Sequence, residues 1–435
     1  MKIAFIRPSM FGHNSKDAMY PLVFAITKAI TPKDVEIIFY DERVEKIPES
    51  IDADIIAMTV ETFSAKRAYL LAKKYKEQGK IVLLGGFHPT ACPDEAIEYC
   101  DSVLIGEIES IWKKIINDIK NNALKKFYKT ENLIELSKIK YDYSAFKGKK
   151  YNNIGLIQFS RGCKYSCEFC SVHAFFKNSI RTKPIDIIIE EIKQIKEKFL
   201  FFIDDNLFSN EQEAIKLFEK LIPLKRKWAC QISIDAAKNT ALLKLMKKAG
   251  CTLVLIGFES LNNENLKQMG KGANLQNNDY KKIINNIYNA GIMIYGTFVI
   301  GYDNDTKETA SNLMNFAIEN KFVLANFNPL MPMPGTKLYD RLKAENMLVY
   351  DKWWLDDNYL YGNAMLTPKN MTTDDLMNSC KNARYKFNSF KNIFIRLLNF
   401  KSNCRNLQNI SLFLLGNIVS KIEIHTKQGK KLGGE

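Results

Sequence analysis

At 435 residues, with 46% hydrophobic and 26% charged residues, the chain has an ordinary globular composition, enough for two or three domains with sizeable cores. Nine scattered cysteines argue against a secreted disulfide framework and for a reducing cytoplasm, and no apolar run is long enough to span a bilayer. The formal charge of +15 comes mostly from lysines spread over helix faces among glutamates and asparagines, without a basic–aromatic stripe, so no nucleic-acid partner is expected.

The first residues, Met1 to Pro8, read as a strand and lack the apolar core and small-residue cleavage site of a signal peptide. Short apolar runs at Lys2–Pro8, Val35–Tyr40, Asp54–Val60, Ile81–Gly85 and Ser102–Gly106 suit strands buried on both faces. Between them Ala68, Leu71, Ala72 and Tyr75 share one helical face, with Gly79 placed to end the helix. Ile108, Ile111, Trp112, Ile115, Ile116 and Ile119 make a second such face. This alternation predicts a doubly wound, Rossmann-like parallel sheet over residues 1–125. Ligands of such sheets gather at the strands' carboxyl ends. Gly85 and Gly86 lie at one of these, where a missing Cβ either lets a large planar ligand approach or simply makes a tight turn.

Residues 126–150 are polar and lysine-rich and read as a linker. From Ile154 a second alternating series begins, with strands expected at 154–160, 200–206, 228–235, 253–260, 293–301 and 324–331. Ile185, Ile188, Ile189, Ile192 and Ile195 recur at helical spacing behind Pro184. Six βα units over residues 151–345 make a partial, TIM-like (β/α)6 barrel, whose chemistry belongs on the loops after the strands.

The loop after the first of these strands reads Cys163-Lys164-Tyr165-Ser166-Cys167-Glu168-Phe169-Cys170. Three thiolates so close cannot all be satisfied by disulfides, and together they can face one inorganic centre. A [4Fe–4S] cluster takes four thiolates as a rule, so three leave one iron open. With His173 three residues on, a tetrahedral zinc site is the competing assignment for the same cysteines.

The Cys-x3-Cys-x2-Cys spacing, with aromatic Phe169 before the last cysteine, resembles the signature of the radical S-adenosylmethionine superfamily. That resemblance implies that Cys163, Cys167 and Cys170 hold a [4Fe–4S] cluster. Its open iron would chelate S-adenosylmethionine, which an electron from a donor such as flavodoxin or ferredoxin would cleave to a 5′-deoxyadenosyl radical. Gly257-Phe258-Glu259-Ser260 resembles the family's fourth strand, which implies a cofactor contact for Glu259. Asp204 ends the second strand and serves either the cofactor and substrate or a cap of the following helix. Gly296–Gly301 and Pro329–Thr336 resemble the fifth strand and the sixth-strand loop, as walls of the pocket.

The run from Leu83 to Thr90, then Pro93–Ala96 and Gly106-Glu107, looks like the cobalamin-binding domain that precedes many such barrels. It implies a cobalamin site involving Gly85, Gly86, His88 and Gly106. The Asp-x-His-x-x-Gly motif of histidine-ligated cobalamin proteins is absent, at His13 and at His88 alike. The function implied is cobalamin-dependent methylation of an unactivated carbon. A cobalamin-independent radical oxidation, epimerisation, cyclisation or rearrangement is the alternative, beside a non-catalytic iron–sulfur or zinc protein. No sequence feature names the substrate or a catalytic side chain.

Residues 346–435 read as a mainly helical region, expected over the barrel mouth. Its aromatic residues Trp353, Trp354, Tyr359 and Tyr361 suit interdomain packing or an apolar substrate. The apolar run Ile410–Val419, flanked by Lys401, Arg405, Lys421 and Lys427, either docks as a helix or makes weak contact with an anionic membrane surface.

Overall fold

Apolar, β-branched runs buried on both faces favour parallel sheets, and the computed structural model, which describes residues 1–176, 179–275 and 279–434, contains two of six strands each. The first is built from β1 (Lys2–Arg7), β2 (Glu36–Asp41), β3 (Ile55–Thr59), β4 (Ile81–Gly85), β5 (Ser102–Ile105) and β6 (Phe127–Lys129). Its order is β2-β1-β3-β4-β5-β6, parallel throughout, so the topological switch point falls between β1 and β3. Helices Leu22–Ile30 and Trp112–Lys120 cover one face and Ala65–Glu77 the other. That last helix buries Ala68, Leu71, Ala72 and Tyr75, and Gly79 follows it with φ 74°.

The polar stretch expected as a linker is more ordered than its composition suggests. It supplies β6, buries Leu136, Ile139 and Ala145, and packs Tyr141, Tyr143 and Phe146 against the edge of the second sheet. Lysines on its outer side mask these anchors in the composition.

The second sheet begins with β7 (Ile154–Ile157). A two-stranded hairpin, β8 (Ser160–Arg161) with β9 (Arg181–Thr182), frames the loop that follows. The sheet continues through β10 (Phe199–Phe202), β11 (Lys227–Ile232), β12 (Cys251–Glu259), β13 (Met293–Ile300) and β14 (Leu324–Pro329). Neighbours follow chain order and are all parallel, the arrangement of an open barrel. Alternate strand residues such as Val254, Ile256, Ile294 and Phe327 are buried in the core shared with the surrounding helices. The intervening set remains partly accessible on the concave face, with Gln231, Thr297, Asn326 and Asn328 as its polar members.

Only part of the helical region reaches the loops at the barrel mouth, where Lys369 and Asn370 bond Asp303 beyond β13. Trp353, Trp354 and Tyr359 are buried in the core of the first sheet's Ala65–Glu77 side, where the indoles bridge the two domains: Trp353 donates to the Pro332 carbonyl in the loop after β14 and Trp354 to Glu95 of the first domain. Helix Thr373–Phe387 lies along β14 through Leu376, Cys380, Ala383 and Phe387. The last two helices, Phe390–Leu397 and Leu407–Lys427, pack at the amino ends of β13 and β14, the end of the barrel remote from the cysteine loop. No helix among the described residues is long and apolar enough to cross a membrane.

Candidate functional site

The cysteine loop leaves β8 through Gly162, whose φ of 89° and lack of a Cβ are both required, since a side chain there would meet the Ser179 carbonyl oxygen at 1.8 Å. The loop is then tied at three places around the barrel rim. Asp235, after β11, accepts from Lys164 at 3.0 Å and from Tyr165 at 2.8 Å. The Glu168 amide donates to the Met269 carbonyl beyond β12. The Glu168 carbonyl accepts from the Leu338 amide beyond β14, and its carboxylate pairs with Arg341 at 2.9 Å. These bonds fix the backbone of a segment with little apolar content of its own.

All three thiols are free; Cys167 is buried and Cys163 and Cys170 are half-buried. Burial pushes the Cys167 thiol up to about 11, with Lys271 opposing and the charges of Cys170, Glu259 and Cys163 adding to the rise. Cys170 is raised by burial and by Cys163, while the backbone amides of His173 and Val172 work the other way. The Cys167 and Cys170 thiolates are thus disfavoured chiefly by burial and further by nearby negative charge, which is the electrostatic situation that a bound cation relieves. Among the described residues no trio of cysteine, histidine or acidic side chains is already drawn in to metal-ligand distance. His173 lies on the short helix Ser171–Phe176 with a buried, unpartnered Nδ1, and its place after the loop leaves the zinc assignment open on geometry alone.

Glu259 ends β12 at a bulge, in the left-handed region at φ 61°, a conformation that a non-glycine residue adopts at a cost of about 1–3 kcal/mol. Its carboxylate pairs with Lys271 at 2.9 Å, and Lys271 lies over the Phe169 ring at 5.9 Å. Burial opposes the charge on Lys271, but Glu259 and Cys167 outweigh it and raise its pKa. A Cβ on Gly257 would come within 2.1 Å of Glu259 Oε1, so this glycine makes room for the ion pair. Sequence reasoning missed Lys271 and Asp235, which belong to no motif and reach the loop only through the barrel's curvature.

Asp204 faces inward. It is buried, accepting from the Phe159 and Ser160 amides and from Ser160 Oγ at 2.5 Å. Burial pushes its pKa up to about 7 against those bonds. It therefore braces the start of the cysteine loop. Gly296 and Gly301, expected in a wall of the pocket, are filled on their Cβ sides by Phe322 and by Leu376 with Leu330.

Across the domain boundary, the carboxyl ends of β4 and β5 meet the cysteine loop. Phe87, beginning helix Phe87–Ala91, stacks on Phe175 with centroids 4.4 Å apart. Arg161 of β8 donates to Glu107 and Glu109, both at 2.7 Å, and Arg181 of β9 also pairs with Glu107. The expected cobalamin-side residues are occupied by protein contacts. A Cβ on Gly86 (φ 106°) would meet the Val60 oxygen at 2.8 Å, one on Gly85 would meet Leu104 at 3.2 Å, and one on Gly106 would meet Thr130 at 3.0 Å. His88 is fully buried with Nε2 against Tyr69 and Glu95 and its ring against Trp354 at the seam. The crevice actually open at the switch point, about 340 Å³, lies between β1 and β3 and is lined by Arg7, Ser9, Met10, Asn14, Arg43 and Phe63. Lys427 and Lys430 of the chain's end close its rim.

Residues 157–317 match the family model described as the radical SAM superfamily. The bacteriochlorophyllide d C-12(1)-methyltransferase of Chlorobaculum tepidum is 32% identical over 371 residues, covering 82% of this chain and 80% of that enzyme. The hopanoid C-2 methylase of Rhodopseudomonas palustris is 27% identical, covering 77% of this chain and 66% of that protein. Among solved structures, the methyltransferase TsrM from Kitasatospora setae, with cobalamin and a [4Fe–4S] cluster bound, superposes with a TM-score of 0.63 at 12% identity, over 79% of this chain and 75% of that one. That degree of likeness shows a shared fold.

Proposed function

The chain belongs to the radical S-adenosylmethionine superfamily, and from that premise we propose that it is a cobalamin-dependent methyltransferase acting on an unactivated carbon. One observation carries the reading: three free cysteines on a single short loop, braced from three directions at the mouth of an open barrel. When bound there, a three-cysteine [4Fe–4S] cluster supplies the electron that cleaves S-adenosylmethionine, and a corrinoid supplies the methyl group. Cys163, Cys167 and Cys170 are the ligands we assign, a donor set whose chemistry fits the cluster. Lys271, held by Glu259 beside Cys167, places a cation where the cofactor's carboxylate approaches, and Phe169 provides an apolar wall. The accessible polar residues of the concave face, Gln231, Thr297, Asn326 and Asn328, orient the substrate.

Methyl transfer is favoured by the relatives, which are named for methylating numbered carbons of a bacteriochlorophyllide and a hopanoid. For the corrinoid, the switch-point crevice between β1 and β3 is the fitting feature, and its lining would hold part of so large a ligand. His13 is engaged by the Asn14 carbonyl and Lys430, and His88 is buried with Nε2 against Tyr69 and Glu95. We therefore assign neither histidine as a ligand to a corrinoid, which the crevice residues would hold.

An anaerobic incubation with a low-potential reductant and substrate tests the assignment. Both 5′-deoxyadenosine and S-adenosylhomocysteine are expected. The first product alone would mean radical chemistry without methyl transfer, and neither product would refute the enzyme.

A further inference from the structure

Helix Leu407–Lys427 is patterned inside out. Toward the barrel it buries Asn409 and Asn417 on either side of Phe413. Asn417 donates to the Val323 carbonyl and accepts from Arg396 at 2.8 Å; Asn409 donates to the Ser402 carbonyl at 2.6 Å. Arg396, fully buried, caps the Phe322 and Val323 carbonyls and lies 3.7 Å over the Phe387 ring. Polar side chains thus share the docking with Phe413, which packs on Met293 and Val323, and Asn417 and Arg396 complete the backbone groups that precede β14.

The opposite side of this helix is apolar and open. Leu407, Leu414, Leu415 and Ile418 recur at helical spacing and are exposed, Leu407 to 85%. The preceding helix adds Phe390, exposed to 79%, and Phe394 beside it. Single exposed apolar residues are ordinary, whereas a continuous apolar face over two adjacent helices marks an interaction surface. The charge around it is one-sided. Between Asp375 and Glu423 the chain has eight lysines and arginines and no carboxylate. Lys391, Lys401 and Arg405 are exposed around the apolar face, and Lys421 lies over the Phe390 ring.

We propose that this face rests on an anionic phospholipid surface, the apolar side chains entering the acyl boundary and the surrounding cations pairing with headgroups. A second copy is disfavoured, because a twofold contact would set cations against cations with no acidic partner in the segment. Nucleic acid would satisfy the cations but leave the leucines and phenylalanines in water. The face lies at the strand-start end of the barrel, so a chain seated on a membrane keeps its cysteine loop on the far end, clear of the lipid.

Flotation of the full-length protein with vesicles tests this. With phosphatidylglycerol-containing vesicles at low salt the chain should co-float, while pure phosphatidylcholine should carry at least about tenfold less. Leu415→Asp/Ile418→Asp should lose about tenfold of the binding, and so should Lys401→Glu/Arg405→Glu, each at an exposed site where the thermal midpoint is expected to hold. Absence of co-flotation by the intact chain would overturn the proposal. So would binding that ignores both variant pairs, equal binding to neutral vesicles, a dimer dissolved by L415D/I418D, or capture by nucleic acid in preference to vesicles.

Discussion

Replacing Cys167 by alanine will abolish 5′-deoxyadenosine formation while the barrel stays folded. Cys167 is the most buried of the three thiols, and the loop around it is held by Asp235, Met269, Leu338 and Arg341, none of which depends on sulfur. Removing one small thiol from such a frame costs about 1 kcal/mol of packing, but it leaves two cysteines where a cluster needs three. Iron and sulfide content measured without oxygen should fall to background together with the product. The thermal midpoint should move by only a few degrees. Undiminished product from this variant would refute the ligand assignment.

The second large effect is expected at the domain seam. Arg161 lies between Glu107 and Glu109, with all three side chains almost wholly buried. Arg161→Ala leaves Glu109 with a buried, unmatched charge, and Arg181 alone remains for Glu107. Loss of one partner from such a group costs about 3–5 kcal/mol. Arg161 begins the turn into the cysteine loop, so activity should fall with stability. Burial works to raise the Glu107 pKa, yet Arg181 and Arg161 hold it below its ordinary value. The stabilisation is therefore complete above the ordinary carboxylate range and is lost as pH falls through the lowered value. Urea titrations at neutral pH and at about pH 3.5 should show the wild type losing more of its stability on acidification than Arg161→Ala. A neutral substitution at pH 7 would contradict the account of the seam.

Much of this architecture was legible because it depends on local periodicity. Buried apolar runs located five strands of the first sheet and all six of the second, while β6 was hidden in the polar linker; the Ala68–Tyr75 and Ile111–Ile119 faces located two helices of the first domain. The cysteine loop announced itself through spacing alone. What periodicity cannot report is the direction of a side chain at a strand end. Asp204 turns inward to brace Phe159 and Ser160, and Gly86 spends its freedom on a close crossing with Val60. His88 lies beneath a tryptophan 266 residues further along the chain, which no local pattern could place beside it. Lys271 was invisible for the same reason, since its pairing with Glu259 depends on a bulge at the end of β12. Of the two readings of the run Ile410–Val419, the helix docks, yet through Asn409 and Asn417 beside Phe413, which its apolar pattern did not single out.

The central claim is that three cysteines hold a cluster with one iron left for S-adenosylmethionine. The most direct measurement is the electron paramagnetic resonance spectrum of anaerobically reconstituted, reduced protein, recorded before and after addition of S-adenosylmethionine. A reduced [4Fe–4S] signal whose g-values shift on addition is the result predicted. A signal unmoved by the cofactor, or a protein that binds zinc and gives no such signal, would contradict it.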